Sequence, residues 1–261
     1  MKNLLLLLVL AGFSTLMFAQ VETFSNIDQS LTGWGECYLP SCNPGGTVAP
    51  TAVVQQIVTS PCLDTKCMEL SATGEAGADD YTDVLWYYKA TGWEPAAYFK
   101  HTFEVYVSAT TNAQAFEFDL FKFDATVTPG VEYMFGSECV PNKYWQVWNY
   151  QLSEPWVNTD VACTQLTPGK YHKIVVYDHL VAGDNSCGGR PCMFYDSLVI
   201  DGKTYTLNLQ EPAEQLPSGW ASTLGVQYQL DINTEGGTLT EYVDEDTFKV
   251  CSESDASECE I

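Results

Sequence analysis

Cationic side chains are scarce in this 261-residue chain: 11 Lys and Arg stand against 34 Asp and Glu, for a formal net charge of −23. That balance argues against nucleic-acid binding through a basic patch, because phosphates need many Lys and Arg to replace their counterions. It argues equally against attraction to an anionic membrane surface. Beyond the N-terminus, no segment approaches the run of about 20 apolar residues that a membrane span needs. No long helical period and no internal repeat is found, and neither a G-x-S-x-G motif nor an EF-hand loop occurs. Serine-nucleophile and EF-hand chemistry therefore have no motif behind them. Apolar residues are plentiful: 46% of the chain is hydrophobic and 13% aromatic. That is enough to build a core and argues against disorder.

The N-terminus carries Lys2, an apolar run from Leu4 to Leu10 and a small residue at Ala19. This order predicts a secretory signal peptide over 1–19, cut near Ala19, and hence a secreted or periplasmic protein. Loss of Lys2 takes the charge from −23 to −24. All ten cysteines lie in the mature part: Cys37, Cys42, Cys62, Cys67, Cys139, Cys163, Cys187, Cys192, Cys251 and Cys259. An even number in an exported chain reads as disulfides. The simplest scheme pairs neighbours, with three C-x4-C loops; spacing leaves other connectivities open. Zinc is the rival, but it favours C-x2-C with nearby His, and only His101, His172 and His179 are present.

Short alternating segments separated by Gly, Pro, Asn and Asp predict an antiparallel β-sandwich. Period-2 alternation separates the two faces. Phe103, Val105 and Val107 are expected in the core, as are Phe116, Phe118 and Leu120, then Trp145 and Val147. In 224–233, Leu224, Val226, Tyr228, Leu230 and Ile232 form an unbroken apolar set. Cys192–Ile200, Asp201-Gly202 and Lys203–Leu209 read as a hairpin with a favoured two-residue turn. The strand rhythm predicts one β domain over 20–261, with a loop-rich part at 20–70 and an acidic, Cys-bridged tail at 251–261.

Three stretches carry a family resemblance: Phe116-Glu117-Phe118-Asp119-Leu120, Tyr144-Trp145-Gln146-Val147-Trp148-Asn149, and Ser218-Gly219-Trp220 leading into Gly225–Asp231. Met134–Cys139 and Tyr195–Leu198 add to them. Over about residues 80–250 the chain resembles a group of secreted, largely uncharacterised bacterial proteins with a concanavalin A-like jelly-roll fold. The resemblance implies a lectin/glucanase-type all-β jelly-roll sandwich and little about activity. Glu117-Phe118-Asp119 is also similar to the E-x-D-x-x-E core of laminarinase-like glycoside hydrolases, where the first Glu is the nucleophile and the last the acid/base. Lys122 stands where that second Glu belongs. Since a retaining mechanism needs two carboxyl groups about 5–5.5 Å apart, hydrolysis would require a partner from another strand, such as Glu104.

The faces expected to lie outside the core carry Glu104, Tyr106, Glu117, Asp119, Gln146, Trp148, Tyr150, Gln227, Gln229 and Asp231. Carboxylates and planar amides can engage vicinal hydroxyls, and aromatic faces stack on the apolar side of a sugar ring. This mixture predicts a glycan-binding face; the alternative is an ordinary solvated sheet face. Trp148 and Trp156 are the expected stacking residues. Trp34, Trp86, Trp93 and Trp220 are expected in the core or under loops, and Tyr87 and Tyr88 at the rim or in local packing.

A polysaccharide lyase is a further enzymatic reading, on a faint similarity of Tyr98-Phe99-Lys100-His101 to an alginate-lyase strand. It would need a basic groove, for instance from Lys143, His172 and Lys173. A charge of −24 repels polyanionic substrates. Structural calcium is plausible at Asp79-Asp80, Asp83, Asp244-Glu245-Asp246 or Glu211/Glu214, although spacing does not place it. The leading expectation is a non-catalytic binder of a neutral glycan. A hydrolase or lyase on the same face, and a structural or adhesive protein, are the alternatives.

Overall fold

The computed structural model describes residues 21–77, 80–90, 95–181 and 185–260. The predicted signal peptide, Asp79 and Trp93 lie outside the described residues. Strands follow in chain order: β1 (Val21–Ser25), β2 (Trp34–Cys37), β3 (Ala52–Val58), β4 (Cys67–Gly74), β5 (Thr82–Ala90) and β6 (Tyr98–Val107). Next come β7 (Ala113–Asp124), β8 (Val131–Phe135), β9 (Ser137–Cys139), β10 (Tyr144–Trp148), β11 (Trp156–Ala162) and β12 (Tyr171–Leu180). The last are β13 (Cys192–Ile200), β14 (Lys203–Pro212), β15 (Glu214–Gln215), β16 (Thr223–Ile232) and β17 (Gly237–Cys251).

Two antiparallel sheets result. Sheet I runs β14-β13-β12-β6-β17-β4-β3, with β1 added to β17. Sheet II runs β11-β10-β9-β7-β16-β5-β2, with β8 on β7 and β15 on β8. The chain is an all-β jelly-roll sandwich, and five disulfides join the neighbouring cysteines: 37–42, 62–67, 139–163, 187–192 and 251–259. Such bridges are consistent with folding in an oxidising compartment.

Alternation explains the core. Phe103, Val105, Phe116, Phe118, Trp145, Val226 and Tyr228 all face the space between the sheets and are buried. The hairpin β13–β14 turns at Asp201-Gly202 with φ of 49° and 79°, the doubly positive pair that a two-residue turn of this twist requires. Strand β17 is split by a bulge: Asp244 pairs with Glu104, but Thr247 pairs with Thr102, one residue out of step. Its first half pairs with β4 and its second with β1. The turn-rich stretch 20–70 thus also supplies β1, β2, β3 and the start of β4. Val53 and Ile57 of β3 lean against the core from sheet I, and Trp34 of β2 does so from sheet II.

One departure matters for the site. Alternation predicts a wet second face on β7 and β16, yet Glu117, Asp119, Phe121, Gln229 and Asp231 are all buried. Loops lie over that face. Gly46 packs so closely on Asp83 that a Cβ there would stand 2.7 Å from the Asp83 nitrogen. Val48 N–H donates to Tyr81 O, and Leu216 closes the other end over Phe121 and Phe123. Alternation reports which residues share a face; it carries no record of a loop folding back over it.

Candidate functional site

The outward face of sheet II is assembled by register. Gln229 on β16 sits opposite Glu117 on β7, which sits opposite Glu138 on β9, which sits opposite Gln146 on β10. One row therefore runs amide, carboxyl, carboxyl, amide across four strands. Beside it Gln227 faces Asp119, and Asp231 faces Asp83 of β5. The Gln229 amide donates to Glu117 Oε1 at 2.7 Å and to Asp231 Oδ1 at 3.0 Å. The Gln227 amide donates to Asp119 Oδ2 at 2.7 Å, and Ser137 N–H donates to Asp119 Oδ1 at 2.8 Å. Carboxyl oxygens of Glu117, Glu138 and Asp231 all lie within 4.8 Å of one another.

Burial dominates the electrostatics. Charged carboxylates lose hydration in a poorly solvated site, and facing negative charges add to that penalty. Burial, then Asp231, Asp119 and Glu138, push the Glu117 carboxyl well above the usual range. Glu138 is raised to about 8, chiefly by burial and then by Asp119 and Asp83, with Lys143 pulling the other way. Asp83 rises to about 9 through burial and then Asp231. Asp119 and Asp231 rise less, to about 7, because burial is offset by hydrogen bonds to their charged forms.

Further along the face the character turns aromatic. Trp148 and Trp156 meet edge to face, centroids 5.1 Å apart. Trp148 Nε1 donates to Glu214 Oε1 at 3.1 Å, and the Gln146 amide donates to Asn158 Oδ1 at 2.7 Å. Gln146, Trp148, Tyr150, Trp156 and Gln227 are half-buried, so they meet solvent more than the carboxyl row does. Tyr150 lies under the Arg190 guanidinium, 5.4 Å from its ring centroid.

Several expected members lie elsewhere. Tyr106 and Glu104 belong to β6 in sheet I. Tyr106 packs on Tyr171 and Tyr242 there, and Glu104 pairs with Lys173 at 3.6 Å. Single-strand alternation does not say which sheet β6 enters. The carboxyl that joins Glu117 from another strand is Glu138, which sequence reasoning misses. Its strand is three residues long, too short for a period to show, although it lies within the Met134–Cys139 stretch of the family resemblance. Lys122 points to the core side and donates to Ala96 O.

The three residues named for a basic groove are not brought together. His172 is buried against Asp201 and Thr167, Lys173 lies on the outside of sheet I, and Lys143 adjoins Glu138 on sheet II. Trp86 is core, whereas Trp220, expected in the core or under a loop, is half-exposed and packs on Phe123 at 5.1 Å. Tyr87 lies beneath the Lys89 ammonium, and Tyr88 packs on Trp34 and Phe24. Of the acidic clusters named for calcium, Asp244 and Asp246 are buried in β17 of sheet I, and Asp80 accepts from Thr47. Asp83 alone joins the carboxyl row.

The polar face of a two-sheet jelly roll, acidic at one end and aromatic at the other, is thus the site the residues define. No family model matches the sequence, and no curated protein matches it. Among solved structures, the chain is similar to an endo-β-1,4-glucuronan lyase from the fungus Trichoderma reesei at 12% identity and a TM-score of 0.46. That match covers 86% of this chain and 97% of the other. It is also similar to peanut lectin at 10% identity and a TM-score of 0.45, covering 89% and 98%. Arcelin-5, a lectin-like defence protein of Phaseolus vulgaris, gives 10% identity and a TM-score of 0.44, covering 90% and 100%.

Proposed function

We propose that the protein is an exported, non-catalytic binder of a neutral glycan, engaged at the aromatic end of the polar face of sheet II. The carrying observation is the half-buried Trp148–Trp156 pair with the Gln146 and Asn158 amides on the adjacent register positions. Two aromatic surfaces offer a stacking platform, and the amides present donors and acceptors to ring hydroxyls. The overall charge of −23 disfavours anionic sugars. Glu117, Asp119, Glu138 and Asp231 are each at most 7% exposed, which keeps a substrate bond away from them.

A hydrolytic reading has one observation in its favour. Glu117 and Glu138 oxygens approach within 4.8 Å, near the carboxyl separation of retaining glycosidases, about 5–5.5 Å. A glycan array followed by calorimetry and reducing-end assays on the same sugars separates the two. Binding without product should weaken by roughly 30-fold in Trp148→Ala, as expected for loss of about 2 kcal/mol at an aromatic anchor. Tyr106→Ala, on the other sheet, should leave it unchanged. Product formation that disappears in Glu117→Gln overturns the binding reading in favour of hydrolysis. Absence of both across neutral panels overturns both.

A further inference from the structure

We propose that Arg190 sets the specificity of the aromatic end of the polar face, its guanidinium donating paired hydrogen bonds to two adjacent hydroxyl oxygens of a neutral glycan stacked on Trp148 and Trp156. This inference deepens the glycan-binding reading and rests on it. Arg190 is the sole Arg in the chain, beside 34 Asp and Glu. A guanidinium among so many acids would ordinarily pair with one. Among the described residues none does, and its side chain takes part in no hydrogen bond. It lies instead over the ring of Tyr150, two residues beyond Trp148, at 5.4 Å from the centroid. That is within the range of a cation–π contact. The ring face offers no oxygen acceptor, so the five N–H donors of the fork stay available.

The stretch Cys187-Gly188-Gly189-Arg190-Pro191-Cys192 explains how the residue is held. Arg190 N–H donates to Cys187 O at 3.1 Å, which closes a four-residue turn. Its central residues, Gly188 and Gly189, have φ of 63° and 84°, a left-handed pair that glycine adopts without a Cβ penalty. Pro191 biases Arg190 toward extended backbone. The Cys187–Cys192 disulfide staples the loop. Gln210 of β14 donates to Cys192 Sγ at 3.0 Å and to Ser186 Oγ at 2.8 Å. The loop is also tied to the tryptophan pair. Pro191 O accepts the Ala213 N–H at 2.8 Å, and the next residue, Glu214, accepts the Trp148 indole N–H. A side chain presented from so constrained a loop gives up less freedom on binding.

Donor availability gives Arg190 its role. The Trp148 indole N–H is engaged by Glu214, and the Gln146 amide donates to Asn158. Arg190 brings the largest set of donors left free at this end, in a fixed planar fork. Such a fork matches two acceptor oxygens lying side by side. On a neutral sugar these are vicinal hydroxyls. A carboxylate would also fit the fork, but it would face Glu214 and a body charged to −23. The hydroxyl pair is therefore the assigned partner.

The test is calorimetric titration of parent and variants with three neutral probes: laminarihexaose, cellohexaose and mannohexaose. Arg190→Lys keeps the charge and loses the fork. Affinity for the probe the parent binds best should fall about 10-fold, and the preference among the three should narrow. Lys203→Ala, at the β13–β14 turn, should leave both unchanged. Gly189→Ala places its Cβ in open space but strains the left-handed turn, so it should weaken binding several-fold without touching the sugar. Urea midpoints of the Arg190→Lys protein and the parent should agree, which separates lost recognition from lost folding. Should Gly189→Ala misfold, Arg190→Lys decides. Binding that is lost in Trp148→Ala but retained in full by Arg190→Lys overturns this inference alone. No binding of any probe by the parent overturns it together with the glycan-binding reading. Tighter binding of a β-1,4-glucuronate trimer, weakened steeply by sodium chloride, assigns the fork to a carboxylate and overturns the hydroxyl pair.

Discussion

Asp28 offers a measurable test of how burial treats acids in this sandwich. It lies in a short 3-10 turn, Ile27–Gln29, just after β1, and is wholly buried. Its Oδ1 accepts the Asp246 N–H at 2.9 Å, while its Oδ2 receives no donor. Asp246 is itself engaged by the Tyr228 hydroxyl at 2.8 Å and by His101 Nε2 at 2.9 Å. Burial first, and the neighbouring Asp246 second, raise Asp28 from 3.8 to about 7. An acid whose pKa is raised on folding binds more protons in the native state than in the unfolded one. Stability then falls as pH rises from about 4 to about 7 and stays low above that.

A tenfold change in proton affinity is worth about 1.4 kcal/mol. The whole window is therefore worth up to about 4 kcal/mol, of which about 2–3 kcal/mol falls between pH 5 and pH 8. Asp28→Asn keeps an acceptor for the Asp246 N–H and cannot ionise. Urea unfolding of parent and variant at pH 5 and pH 8, disulfides intact, gives a double difference in which acids elsewhere cancel. The variant should gain about 2–3 kcal/mol on the parent between the two pH values. Parallel pH profiles for the two proteins would refute the assignment of that proton to Asp28.

Three further outcomes follow from packing. Gly225→Ala places a Cβ 1.8 Å from Tyr88 O on the adjoining strand; it should part β16 from β5, destabilise by more than about 3 kcal/mol and yield little soluble folded protein. Replacing both Cys139 and Cys163 with Ser opens a bridge of sequence separation 24; a loss of about 3–4 kcal/mol is expected, read as a fall in urea midpoint. Phe118→Ala, whose ring is fully buried against Phe103 and Trp145, should cost about 3–5 kcal/mol, whereas Trp148→Ala, half-buried, should cost clearly less in the same unfolding assay.

Much of the architecture is legible in the sequence because period-2 alternation is a local signal. Phe116, Phe118 and Leu120 fall on one face by their spacing alone, as do Leu224 to Ile232, and the Asp201-Gly202 turn follows from the left-handed conformations those two residues tolerate. Neighbour pairing of the cysteines is the simplest scheme, and it is the one that forms. Glu117, Asp119, Gln227, Gln229 and Asp231 group together because two strands with clear alternation each put them opposite an apolar set. The pairing of β7 with β16 then makes them register partners. Glu138 escapes notice because three residues carry no period. Tyr106 and Glu104 are misgrouped because a strand's alternation says nothing about which sheet it joins.

Composition and short-range pattern therefore determined the acidic character, the all-β sandwich, the disulfide staples and the membership of each face. Only the tertiary structure decided that the acids on the outer face of sheet II are covered rather than wet. It also decided that Asp83 and Glu138 join Glu117 and Asp231, and that the accessible part of the face is the Trp148–Trp156 end. The physical reason is range. Alternation and turn chemistry act between near neighbours in sequence, whereas strand order, register and loop closure join residues such as Asp83 and Asp231 across the chain. A carboxyl's protonation depends on those distant neighbours.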